Sequence, residues 1–264
     1  TNDGRDILAE LGDRHMEYGS LILFTSYNST LQIAAHEDVI PISKLNEYCR
    51  IIRQLTSKED WKIARIIAKP FTGKNGKYRF TNEKCEYSVN PPSRSILNSL
   101  KDKNYSVISI GKINDIFNGE GITKVVKSNH NNAEAINKLM DIMEKNFTGL
   151  CMINLNDFDQ LYGHNKDVEG YARCIEELDV EIPLILNKLA DDDLLIITAD
   201  HGNDPTLSNS HTRENVPVII YNRCLQNPSK LDILNTLADV GATIADNFGV
   251  MNPGIGTSFL DKLK

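Results

Sequence analysis

No stretch of this chain stays apolar for the roughly 18 residues that a membrane helix needs. The longest apolar runs, such as Leu194 to Ile197 and Val216 to Tyr221, are strand-sized. An excess of cations is missing too: 29 Lys and Arg face 36 Asp and Glu, a net charge of −7. A general nucleic-acid binder needs a surplus of Lys and Arg for its phosphate contacts, so that class is excluded. A small anionic substrate is not, because one local cluster of cations can hold a phosphate on an acidic protein. The five cysteines, at 49, 85, 151, 174 and 224, form no CxxC pair. That is neither a disulfide framework nor a zinc–thiolate site, and a reducing compartment, the cytoplasm, is expected. Finally, the chain opens Thr1-Asn2-Asp3-Gly4 without an initiator Met, signal peptide or transit segment, as though cut from something longer.

What is present suits a folded protein. With 264 residues, 41% apolar and 25% charged, the chain can bury a sizeable core as one large domain or two ordinary ones. That composition excludes an intrinsically disordered chain.

Up to Pro92 the elements follow no regular beat. Ile7 to Tyr18 and Leu45 to Leu55 have helical spacing, and Ser20 to Ser26 and Ile63 to Phe71 read as strands. Asn90-Pro91-Pro92-Ser93 breaks any regular element, which places a domain boundary there. Beyond it, short apolar runs at Tyr105–Ile110, Leu150–Leu155, Leu194–Thr198 and Val216–Tyr221 alternate with amphipathic stretches at Asn132–Lys145, Val168–Leu189 and Leu231–Asp246. In Val168–Leu189 one buried face is expected from Val168, Tyr171, Ala172, Ile175, Leu178, Ile182, Ile185 and Leu189, with a kink at Pro183. The alternation predicts an α/β fold with a mostly parallel sheet, buried on both faces by helices.

In such folds ligands gather beyond the carboxyl ends of the strands, and three polar clusters fall there. They are Asn156 to His164, Asp200-His201-Gly202-Asn203-Asp204, and His211-Thr212-Arg213-Glu214. Each alone has a bland reading. Asp159 with His164 is also what a helix-capping Asp beside a surface His would give, and Asp200-His201-Gly202 fits a polar turn. Their conjunction is different: three of six histidines and two aspartates converge on one sheet edge. Burying such groups together is costly unless a cation pairs them. Asp oxygen with neutral His nitrogen, and no thiolate, suits Mn²⁺ or Zn²⁺. Two such ions would polarise a phosphoryl group and stabilise both attacking and leaving oxygens. Of the other histidines, His15 is expected along a helix and His130 in an Asn-rich loop, while His36 suits a bond to a backbone carbonyl.

The same residues carry a family resemblance. Asp157-Phe158-Asp159, Tyr162-Gly163-His164 and Asp167 to Tyr171 resemble the phosphopentomutase family, as do Asp193 to Thr206 and His211-Thr212-Arg213-Glu214. Gln32 to Glu37, Gly111-Lys112-Ile113 and Asp239 to Phe248 extend the likeness nearly end to end. The resemblance implies an alkaline-phosphatase-like α/β core and an α+β cap domain. Residues 1–92 would be most of the cap, and 93–264 the C-terminal part of the core. It implies interconversion of ribose or deoxyribose 1-phosphate and 5-phosphate, through a phosphothreonine and two Mn²⁺. By motif, Asp159, His164 and His211 would hold one manganese, and Asp200 and His201 part of the other.

The resemblance also implies that the phospho-accepting Thr and a further Asp ligand precede the cap, where this sequence has no equivalent. These 264 residues alone are therefore expected to be inactive as a mutase, with an incomplete sheet. Ser26, Asn28 and Lys84 fall at substrate-binding positions of the cap. Asn28 stands where the family has Asp, and Lys84 where it has Arg, which keeps the charge but loses the bidentate fork that grips phosphate. Weaker hold on the sugar phosphate is expected. The competing readings are another mutase or phosphatase of the same superfamily, such as a phosphoglycerate mutase, and a non-catalytic truncated fragment.

Overall fold

The computed structural model describes residues 4–26, 30–57, 61, 63–128, 131–225 and 230–263. Its elements run α1 (Gly4–Tyr18), β1 (Ile22–Ser26), β2 (Thr30–His36), α2 (Ile42–Leu55), β3 (Arg65–Lys74), β4 (Lys77–Phe80) and β5 (Cys85–Ser88). There follow α3 (Ile96–Asp102), β6 (Ser106–Ile110), the short α4 (Ile113–Ile116), β7 (Lys124–Val126), α5 (Asn132–Met143) and β8 (Gly149–Ile153). A π-helix (Phe158–Gly163), α6 (Val168–Lys188), β9 (Leu195–Thr198), β10 (Val218–Tyr221), α7 (Ala238–Asn247) and a 3₁₀ turn (Leu260–Leu263) complete the chain. Two compact units are formed, one by 1–91 with 115–119 and the other by 92–114 with 120–264.

The first unit is built on a sheet ordered β1-β2-β3-β4, with β5 also on β3. The β2–β3 pair is parallel and the others are antiparallel. Strand β2 explains itself by period two. Ile33 and Ala35 point to α2, packing with Leu45, Cys49, Ile66 and Ala68. Ala34 points the other way, into a cluster with Leu8 of α1, Ile22, Phe24 and Phe71. With a helix on each face the strand is apolar without alternating. His15 and His36 lie inside this unit, each only 2% exposed. His15 Nδ1–H donates to the Ser20 carbonyl at 2.7 Å, and its Nε2 accepts from the His36 backbone N–H at 2.9 Å. His36 Nε2–H donates to the Gly73 carbonyl at 2.9 Å while its Nδ1 accepts from Asp38 N–H at 3.1 Å. Both rings thus serve as connectors of α1, β2 and β3.

The second unit holds a parallel sheet ordered β7-β6-β8. Central β6 buries Ile108 and Ile110 against Ala135 and Ile142 of α5, with Cys151, Ile153 and Leu155 completing the cluster. Asn131 caps α5 by accepting from Glu134 N–H at 2.8 Å, and Asp167 caps α6 by accepting from Gly170 N–H at 2.8 Å.

Three sequence expectations are corrected here. First, the run at 194–198 does not extend the parallel sheet: among the described residues β9 pairs only with β10, antiparallel. Both strands are half-buried at most rather than covered on both faces, and Ile219 of β10 is 57% exposed. Second, α7 starts at Ala238 and not Leu231. The buried Asp239 carboxylate accepts from Asn235 N–H (3.1 Å), Thr236 N–H (3.3 Å) and Thr257 N–H (2.8 Å). The amides at 235 and 236 are thereby diverted from helical partners. Third, the buried side of α6 is set by Gly170, Cys174, Ile185 and Leu189, whereas Val168 and Ile175 are exposed. Of the face expected from the spacing, Ile185 and Leu189 are buried and Tyr171, Leu178 and Ile182 half-buried, so the spacing located the covered side in its C-terminal part and not at Val168, Ala172 and Ile175. Pro183 does lie within α6. Among the described residues no helix is long and apolar enough to cross a membrane.

Candidate metal centre

The centre is assembled from three segments of the second unit. Strand β8 leads through residues 154–156 to Asp157 and the π-helix Phe158–Gly163. Its wide turn shows in the bond from His164 N–H to the Asp159 carbonyl, five residues back, at 2.9 Å. In an α-helix, five residues rotate the chain by about 500°, which leaves the two side chains about 140° apart. The π-helix instead brings both to one side, with His164 Nε2 3.2 Å from Asp159 Oδ2. Asn132 anchors this turn reciprocally: its N–H donates to Asp157 Oδ2 at 2.8 Å, and its Oδ1 accepts from Asp157 N–H at 3.1 Å. Asp159 does not take the capping role of the bland reading; Asp157 holds the cap position, without a side-chain cap bond.

The second segment follows β9 and carries Asp200 and His201; the third carries His211. An isolated antiparallel bridge joins Gly202 to Thr212, with Thr212 N–H donating to the Gly202 carbonyl at 3.0 Å. Only glycine fits at 202, since a Cβ there would press on the Thr212 carbonyl and on the Glu214 side chain. This closure lays His211 over His201, ring centroids 3.6 Å apart and 14° from parallel; the His164 and His211 centroids are 5.5 Å apart.

Asp159 is the hub. His211 Nε2 lies 3.4 Å from its Oδ1, and one ligand atom each of Asp159, His201 and His211 fall within 4.8 Å of one another. Asp200 Oδ1 lies 3.7 Å from His201 Nε2 and is the most exposed member, at 73%. The five residues singled out from the sequence are thus brought to one place. His164 and His211 both lie on Asp159, as the resemblance groups them, and His201 also comes within reach of Asp159 and His211.

The donor chemistry fits a cation. His164 is held through Nδ1, 2.8 Å from the Asn209 carbonyl, and its Nε2 faces the Asp159 carboxylate at 3.2 Å. His201 Nδ1 likewise faces the Gly202 carbonyl at 3.1 Å. A ring fixed through its other nitrogen is the ordinary arrangement of a metal-binding histidine. Asp159, His201 and His211 could hold one divalent ion, with His164 and Asp200 beside them.

The remaining sequence candidates lie in the first unit. Ser26 ends β1, opposite Thr30 of β2. Lys84 is exposed ahead of β5. Asn28 and His130 lie outside the described residues. Two residues at the centre went unassigned in the sequence. Asn203 donates to Asp159 Oδ1 at 3.0 Å, and Asn132 clamps the π-helix as described. Asn203 stands inside an already suspicious run; nothing in the sequence around Asn132 signalled a contact 25 residues away.

A family model described as "Metalloenzyme superfamily" matches residues 15–252. Among solved structures, the chain is similar to "Structure of PH0037 protein from Pyrococcus horikoshii", with 13% identity and a TM-score of 0.42. That match covers 70% of this chain and 53% of the other, so this chain spans about half the length of that protein.

Proposed function

The chain belongs to the Metalloenzyme superfamily, the alkaline-phosphatase-like group that includes phosphopentomutase, and from that premise we propose that it is the metal-bearing part of a phosphopentomutase. The reaction is the interconversion of ribose or deoxyribose 1-phosphate and 5-phosphate. The observation that carries the reading is the convergence of Asp159, His201 and His211 within 4.8 Å, flanked by His164 and Asp200.

Two Mn²⁺ would supply charge for a phosphoryl group in transfer. The chain's own part is to fix the ligands beforehand: the π-helix aims Asp159 and His164, and the 202–212 bridge aims His201 and His211. Residues 1–92 act as most of the cap and 93–264 as core, in the cytoplasm. Ser26, Asn28 and Lys84 contact the sugar phosphate, and Lys84 grips phosphate as a point charge rather than a fork.

The test is a coupled assay for ribose 5-phosphate formation from ribose 1-phosphate with Mn²⁺. Residues 1–264 alone should give none. A longer form carrying the acceptor segment should give turnover that His211→Ala abolishes. Release of inorganic phosphate from phosphomonoesters, with no isomer formed, would reassign the site to a phosphatase of the same superfamily.

A further inference from the structure

Asp159 accepts two side-chain N–H bonds, from Gln160 Nε2 at 2.9 Å and from Asn203 Nδ2 at 3.0 Å. They differ in kind. Gln160 is an exposed neighbour on the same helix, while Asn203 reaches across from the loop after β9, 44 positions away. The orientation of the Asn203 amide is fixed by chemistry: turned over, it would oppose its oxygen to a carboxylate oxygen. The other end of this amide gains nothing, because Asn203 Oδ1 is buried with no hydrogen-bond partner among the described residues. A buried acceptor left unpaired is costly, so the side chain is held there through its donor. Space for it depends on a second residue. Gly163, buried at the end of the π-helix, lies so close that a Cβ built on it would fall on the Asn203 amide.

We propose that Asn203 is a positioning residue, whose amide N–H holds the Asp159 carboxylate in its metal-binding orientation, and that Gly163 is required in order to leave room for that amide. The proposal rests on reading Asp159 as a metal-bearing carboxylate. With one lone pair on Oδ1 engaged by Asn203, and one on Oδ2 by the exposed Gln160, the carboxylate cannot turn freely, and Oδ2 faces His164 while Oδ1 faces His211.

The test measures Mn²⁺ binding to the chain by titration calorimetry and by loss of the free-ion EPR signal. Four variants are compared with the unsubstituted protein: Asn203→Ala, Asn203→Leu, Gly163→Ala and the double variant Gly163→Ala/Asn203→Ala. Asn203→Ala is expected to weaken Mn²⁺ binding about 10–100-fold with little change in the melting temperature of the metal-free protein. Asn203→Leu, of similar size but without a donor, should lose as much; affinity retained in it would leave Asn203 a packing role and overturn the proposal. Gly163→Ala should also lose affinity by displacing the amide, and the double variant should be no weaker than the worse single one, since both remove the same bond. Additive losses would overturn the link between Gly163 and Asn203. Failure of the unsubstituted chain to bind Mn²⁺ would instead overturn the reading of the site, and the proposal with it.

Discussion

His201 and His211 stack face to face, ring centroids 3.6 Å apart, because the chain folds back on itself between them and closes at Gly202 and Thr212. The closure allows no side chain at 202, where a Cβ would press on the Thr212 carbonyl. Gly202→Ala is therefore expected to part the two imidazoles and weaken Mn²⁺ binding at least about tenfold, a loss of the size seen when groups supporting metal ligands are removed. Calorimetric titration of the variant is the check, and unchanged affinity would mean that the stacking does not organise the site.

His15 plays a structural part in the first unit. Its Nε2 is the partner of the buried His36 N–H, and its ring packs on Phe71 at 5.4 Å. His15→Ala should orphan that donor and destabilise the unit by about 1–3 kcal/mol, read as a lower urea midpoint. Mn²⁺ affinity should remain unchanged, as the ligand residues belong to the second unit.

The cysteines divide by environment. Burial pushes the Cys49 thiol up to about 12, and Cys151 and Cys174 up to about 11, from an ordinary 9.0. Thiolate is the reactive form, so a thiol reagent at pH 8 should leave these three unmodified in the folded protein while the exposed Cys224 reacts. Mass spectrometry of digests reads the outcome. The linked effect on stability has a definite sign: groups whose folded value is raised contribute fully below pH 9, and that contribution is lost as pH climbs toward 11–12. The melting temperature should fall across that window.

Strong local patterns in the sequence located much of the fold. The apolar runs at 105–110 and 150–155 became β6 and β8, and Val168 to Leu189 became α6 almost residue for residue. Pairing was not legible: the runs Leu194–Thr198 and Val216–Tyr221 read as strands of a mostly parallel sheet, yet they form an antiparallel pair, β9 with β10. Strand direction depends on long-range partners, which composition does not encode. The ligand types were legible because Asp and His at strand ends are chemically conspicuous. The backbone that holds them was not, because it is a π-helix at 158–163 and a bridge at 202–212. Neither has a local periodicity of its own, and Asn203 was missed for the same reason.

The most direct measurement is an anomalous-difference map from crystals of this chain grown with Mn²⁺. The expected result is a peak about 2.0–2.3 Å from an Asp159 carboxylate oxygen and from a ring nitrogen each of His201 and His211, a distance typical of nitrogen and oxygen ligation. Manganese bound elsewhere, with Asp159, His201 and His211 left uncoordinated, would contradict the account.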